Sequence, residues 1–89
     1  MCAKKVLMIT KQVCPYCSRA KAVLNGALEG KYNDQIEFFV REDDETRFEA
    51  LRDHYQFMTV PTFVDLSSGK ILSDSQEATI SAFLKEAIG

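Results

Sequence analysis

The apolar positions of this chain follow two rhythms, and the changes from one to the other divide it into seven elements. Within Lys4 to Thr10, Val6-Leu7-Met8-Ile9 is a short unbroken apolar run, as expected of a buried strand. From Pro15 onward, Ala20, Val23, Leu24, Ala27 and Leu28 recur as i, i+3, i+4, i+7, i+8. That is the stripe of an amphipathic helix, with Pro15 suited to its first position and Gly30 to its end. Ile36 to Arg41 reads as a second strand. The acidic run Glu42-Asp43-Asp44-Glu45 places carboxylates where the positive end of a helix dipole favours them, and Phe48, Leu51 and Tyr55 carry a second helix over residues 45 to 56. A third strand over Thr62 to Leu66, a Ser67-Ser68-Gly69-Lys70 turn and a short fourth strand at Ile71 and Leu72 form a hairpin. Asp74-Ser75-Gln76-Glu77 has the form of a capping box, and the last helix follows, with Ile80, Phe83, Leu84, Ala87 and Ile88 on one stripe.

The order β-α-β-α-β-β-α predicts an α/β domain. Its first three elements make a parallel βαβ unit with a right-handed crossover, the hairpin adds an antiparallel edge, and helices can cover both faces. At 89 residues the chain is read as a single domain over 1–89. With 46% hydrophobic and 27% charged residues, it has the composition of an ordinary globular domain. No apolar run approaches the ~20 residues of a membrane helix, and Met1 to Thr10 offers neither a signal-peptide apolar core nor a cleavage site after it. The expectation is a cytoplasmic protein with no membrane or nucleic-acid partner and nothing to suggest more than a monomer.

Charge changes this picture through its distribution. The net charge is -2, yet residues 1 to 31 carry six basic side chains against one acidic, and the remainder five basic against twelve acidic. Most of these charges are solvated surface groups on strands and helices. The basic third nevertheless contains Cys14-Pro15-Tyr16-Cys17, and positive charge stabilises a thiolate.

Three cysteines are too few, and odd in number, for a disulfide framework. In a reducing compartment a Cys-x-x-Cys pair is catalytic or metal-binding more often than a permanent staple. With Pro15 as the first helical residue, Cys14 becomes the N-cap, and its sulfur can accept the backbone N–H groups of Tyr16 and Cys17. Lys11, Arg19 and Lys21 add positive charge, which lowers the thiol pKa. Cys14 is then the exposed nucleophile, and Cys17, one turn inward, resolves the mixed disulfide. Two plainer readings stand beside this one. A zinc site needs four ligands, and the remaining candidates, Cys2 and His54, are isolated from each other. Inert core cysteines would not carry Pro and Tyr between them at a strand-to-helix junction. Cys2 reads as an incidental thiol and His54 as a surface histidine.

Lys11-Gln12-Val13-Cys14-Pro15-Tyr16-Cys17, after an apolar strand and before a helix with Arg19, Ala20 and Lys21, resembles the active site of dithiol glutaredoxins. Thr59-Val60-Pro61 resembles that family's second motif, and the likeness extends over essentially the whole chain. The resemblance implies a thioredoxin-like fold with a four-stranded mixed sheet in the order 2-1-3-4. It implies a glutathione-dependent thiol–disulfide oxidoreductase with Cys14 as nucleophile and Cys17 as resolving thiol. Its substrates would be disulfide-bearing or glutathionylated proteins, with glutathione as co-substrate and no tightly bound cofactor or metal. By the same resemblance, Lys11 would meet a carboxylate of glutathione and Tyr16 would line its groove. Val60 would pair with its cysteinyl main chain, in the manner of strand addition. Pro61 would be cis, and Asp74 with Ser75 would receive the γ-glutamyl end.

The chain departs from the family at its last motif. Lys70-Ile71-Leu72-Ser73-Asp74 lacks the usual Gly-Gly pair, and the Ser67-Ser68-Gly69-Lys70 turn looks like the simple hairpin of thioredoxins. Asp74 and Ser75 then have a second reading as the start of the last helix. Two alternative functions stay open: a thioredoxin-like electron donor recharged by a flavoprotein reductase, and an iron–sulfur cluster-binding module. Pro15 counts against the latter, because family members with that role generally carry a less rigid residue after the first cysteine.

Overall fold

The computed structural model describes residues 4–89, and Cys2 lies outside them. Strands β1 (Val6–Thr10), β2 (Ile36–Val40), β3 (Thr62–Asp65) and β4 (Ile71–Leu72) form one sheet in the order β2-β1-β3-β4. β1 runs parallel to β2 and antiparallel to β3, and β3 pairs antiparallel with β4. The helices are α1 (Pro15–Ala22), α2 (Glu45–Tyr55) and α3 (Glu77–Ala87). This is the α/β architecture that the element order predicts, with the thioredoxin-like strand order that the resemblance implies.

Alternation along the strands divides the core between the two faces of the sheet. Val6, Met8, Ile36 and Phe63 point to one face, where Ala20 of α1, Leu24 and Leu28 after it, and Ile80 and Leu84 of α3 cover them. Leu7, Ile9, Phe39 and Val64 point to the other, under Phe48 of α2 and Phe57. Every residue of β1 is buried, which explains its unbroken apolar run: a central strand has no solvent face.

The second and third strands and the second helix each end one residue before the sequence expectation, and two differences are larger. The first helix widens into a π-helical turn over Val23–Ala27, with the Leu28 N–H donating to the Val23 carbonyl at 3.0 Å. The wider turn brings Leu24 and Leu28 to the sheet and leaves Ala27, expected on the buried stripe, exposed. At the other end, α3 begins at Glu77 with Gln76 as its N-cap, and that cap makes no side-chain hydrogen bond. Asp74 is therefore not the cap of a capping box. Its Oδ1 accepts the N–H groups of Ser75 (2.7 Å) and Gln76 (3.2 Å) in a turn ahead of the helix. The β3–β4 hairpin turns as expected at Gly69 (φ 80°), where the Gly69 N–H donates to the Asp65 carbonyl at 2.7 Å.

Candidate active site

β1 ends at Thr10 and α1 begins at Pro15, so the four residues between deliver Cys14 to the first turn of the helix. Cys14 is the N-cap, with extended backbone, and its Sγ accepts the Cys17 N–H at 3.1 Å. Of the two backbone donors expected for that sulfur, Cys17 supplies its own; no bond from Tyr16 is formed. Cys14 and Cys17 are joined as a disulfide, with their Cα atoms 5.1 Å apart.

The expected contrast between an exposed Cys14 and a shielded Cys17 is absent in this oxidised state. Cys14 is 6% exposed and Cys17 3%. Each sulfur covers the other, and the Val60 carbonyl oxygen stands 3.9 Å from the Cys14 sulfur. An exposed nucleophile is thus not a property of the disulfide form.

The segment opposite the disulfide is Thr59-Val60-Pro61, with a cis Val60–Pro61 peptide bond. Among the described residues, neither the Val60 N–H nor its carbonyl makes a backbone hydrogen bond, so its main chain is available for pairing. The segment is held from behind. The Thr62 hydroxyl, fully buried at the start of β3, donates to the Thr59 carbonyl at 2.6 Å. With its one hydrogen so used, it accepts from the Ser73 hydroxyl at 2.8 Å. The sequence signal for Thr62 was a polar side chain at the head of a buried strand, which needs a partner.

Two cavities flank this arrangement, and Tyr16, Thr59 and Val60 line both. The first, about 230 Å³, is completed by Arg19, Pro61, Ser73, Asp74, Ser75 and Gln76. The Asp74 carboxyl is held below its ordinary value by the Ser75 N–H and by the Thr79 hydroxyl, with Arg19 adding a smaller attraction. The second cavity, about 360 Å³, is completed by Lys11, Arg41, Phe48, Arg52, Phe57 and Met58. All eight site residues named from the sequence therefore meet around one centre: the disulfide itself, Pro61, Asp74 and Ser75 on one side, Lys11 on the other, Tyr16 and Val60 between. Of the three cations expected near Cys14, Lys11 and Arg19 line the cavities and Lys21 does not.

Sequence reasoning missed Arg41 and Arg52, which α2 and the turn before it bring to the second cavity. It also missed Glu42, whose carboxylate accepts the Gln12 N–H at 2.9 Å and braces the loop leading to Cys14. The rest of the acidic run behaves as a helix start, with Asp44 capping α2 through the Arg47 N–H at 3.0 Å. His54 is exposed on α2. No three His, Cys, Asp or Glu side chains converge to hold a metal among the described residues, and no helix there is long and apolar enough to cross a membrane.

No curated protein and no solved structure gives a significant match to the chain. A family model does: the one described as Glutaredoxin matches residues 6–65, from the start of β1 to the end of β3, and so includes the disulfide and the cis-proline segment. With a Cys-x-x-Cys pair at a helix N-terminus and a four-stranded mixed sheet ordered 2-1-3-4, the chain belongs to the glutaredoxin family, whose chemistry is thiol–disulfide exchange.

Proposed function

We propose that the protein is a glutathione-dependent oxidoreductase that reduces protein disulfides and protein–glutathione mixed disulfides. The observation that carries the reading is that Val60, whose main chain makes no backbone hydrogen bond and whose carbonyl oxygen lies 3.9 Å from the Cys14 sulfur, lines two cavities of different polarity. Glutathione has a matching form. Its cysteinyl main chain suits Val60, and its glycyl carboxylate suits the cations of the larger cavity. Its γ-glutamyl end carries both an amine and a carboxylate, which suits Asp74 with Ser75 and Arg19.

In the reduced protein, the Cys17 N–H and the helix dipole stabilise a thiolate at Cys14. This thiolate attacks one sulfur of the substrate disulfide, and the other sulfur leaves with the bonding electron pair and takes up a proton. For a protein disulfide, Cys17 then displaces the substrate from Cys14 and closes the disulfide seen in the structure. For a glutathionylated substrate, the glutathionyl group stays on Cys14 until a second glutathione removes it as glutathione disulfide. Glutathione is a co-substrate here, with no resident cofactor, and a reducing cytoplasm is the compartment in which this cycle runs as a monomer.

The missing Gly-Gly pair supports one competing reading, a thioredoxin-like donor recharged by a flavoprotein reductase. The test is to supply the oxidised protein with glutathione and glutathione reductase, or with thioredoxin reductase, at equal NADPH, and to follow reduction of a small glutathione mixed disulfide. Rapid turnover with glutathione and little with the flavoprotein is expected. The opposite ranking would replace the reading with its competitor.

A further inference from the structure

We infer that the cavity walled by Lys11, Arg41 and Arg52 docks the acidic flank of a protein disulfide, so that the preferred protein substrates carry Asp or Glu within a few residues of the attacked cysteine. The inference rests on the thiol–disulfide reading above and adds the substrate class to it. Three cations line this cavity and no carboxylate does. Among the described residues, Lys11 and Arg52 have no ion pair, and Arg41 has only an exposed contact of 3.9 Å with Glu45. The rest of the nearby acidic run makes no ion pair with them among the described residues. Glu42 is turned to the Gln12 N–H and Asp44 to the Arg47 N–H. Glutathione brings a single carboxylate to this side, whereas the cavity offers three positive charges and the larger of the two volumes.

The apolar lining points to a peptide rather than a free small anion. Phe48 and Phe57 are buried behind the cations, while Met58 is 92% exposed and Tyr16 64% exposed at its rim. Val13, next to Cys14, is 84% exposed as well. A chain segment that pairs with Val60 would lay its side chains over these groups and its carboxylates against the arginines. The exchange balances without a further reactant. Cys14 and Cys17 give up two electrons and become the disulfide, and the substrate disulfide takes those electrons and two protons to become a dithiol.

The test uses fully reduced protein and two peptides with the same internal disulfide, one with Asp and one with Lys flanking the cysteine. Single-turnover rates are each divided by the rate of uncharged dithiothreitol with the same peptide, which cancels intrinsic disulfide reactivity. At low ionic strength the Asp peptide is expected to react about tenfold faster, with the ratio falling towards one at molar salt. Replacing both Arg41→Glu and Arg52→Glu is expected to invert the ratio, and because the ratio is taken within one preparation, partial loss of folded protein does not affect it. Equal rates, a salt-independent ratio or an unchanged ratio in the variant would overturn the inference while leaving the oxidoreductase reading intact. Failure to reduce either peptide would overturn both.

Discussion

The two cavities beside the disulfide share Tyr16, Thr59 and Val60 and differ in almost every charge they carry. The smaller is built from the segment between β4 and α3 and holds Asp74 with Arg19, a mixed pair. The larger draws on α2 and the turn before it and is wholly cationic among its charged residues. One reactive centre therefore faces two electrostatic environments, and a ligand that spans it is oriented by charge before any sulfur reacts. The Ser75 N–H and the Thr79 hydroxyl favour the charged form of Asp74 and hold its carboxyl below the ordinary carboxylate value.

The comparison is broken most severely by reversing the cationic side. Arg41→Glu with Arg52→Glu should raise the KM for glutathione by about tenfold or more, since like charges then face its carboxylate. Arg52→Gln alone should raise it about two- to fivefold with little change in kcat, as expected for one solvent-exposed charge contact. Asp74→Asn keeps an acceptor for the Ser75 and Gln76 N–H groups and removes the charge, so a rise of similar or smaller size is expected, about two- to threefold. A glutathione analogue without the α-amino group separates the two ends. Its KM should no longer respond to Asp74→Asn and should still respond to Arg52→Gln; the same response to both variants would dissolve the assignment of ends.

Smaller effects sharpen the contrast between the site and the far end of β3. Thr62→Val removes the hydroxyl that joins Thr59 to Ser73 and should cost about 1 kcal/mol in denaturant unfolding, while also loosening the wall common to both cavities. At the opposite end of the same strand, burial pushes the Asp65 carboxyl up, but hydrogen bonds from Ser67 and Ser68 outweigh it and hold the pKa below 3.8. Its stabilising contribution is therefore present above that pH and fades as the pH falls through the lowered folded-state value. Asp65→Asn keeps an acceptor and should flatten the acid limb of the stability curve by less than about 1 kcal/mol, leaving glutathione kinetics unchanged. A change in KM from this variant would mean that the two ends of β3 are coupled.

Much of this arrangement is readable in the chain because it depends on local spacing. The Cys14-Pro15-Tyr16-Cys17 turn, the apolar run of β1 and the stripes of α2 and α3 each declare themselves within a dozen residues. Thr59-Val60-Pro61 declares itself through resemblance. The second cavity is harder to see, since Lys11, Arg41 and Arg52 are brought together by the parallel pairing of β1 with β2. An exposed arginine on a polar helix face looks the same in sequence whether or not it reaches a site. Asp74 shows the reverse difficulty. Its spacing to Glu77 suits a capping box, yet the backbone uses Asp74 for a tighter turn and starts the helix at Glu77.

The central claim is that Cys14 is the attacking sulfur and Cys17 only resolves, although both are nearly equally buried when oxidised. It is tested most directly by glutathione-dependent reduction of a small glutathione mixed disulfide with Cys14→Ser and Cys17→Ser proteins. Cys14→Ser should lose the activity by at least about a thousandfold. Cys17→Ser should retain it while losing reduction of protein dithiol-type disulfides. Substantial turnover by Cys14→Ser, or loss confined to Cys17→Ser, would contradict the account.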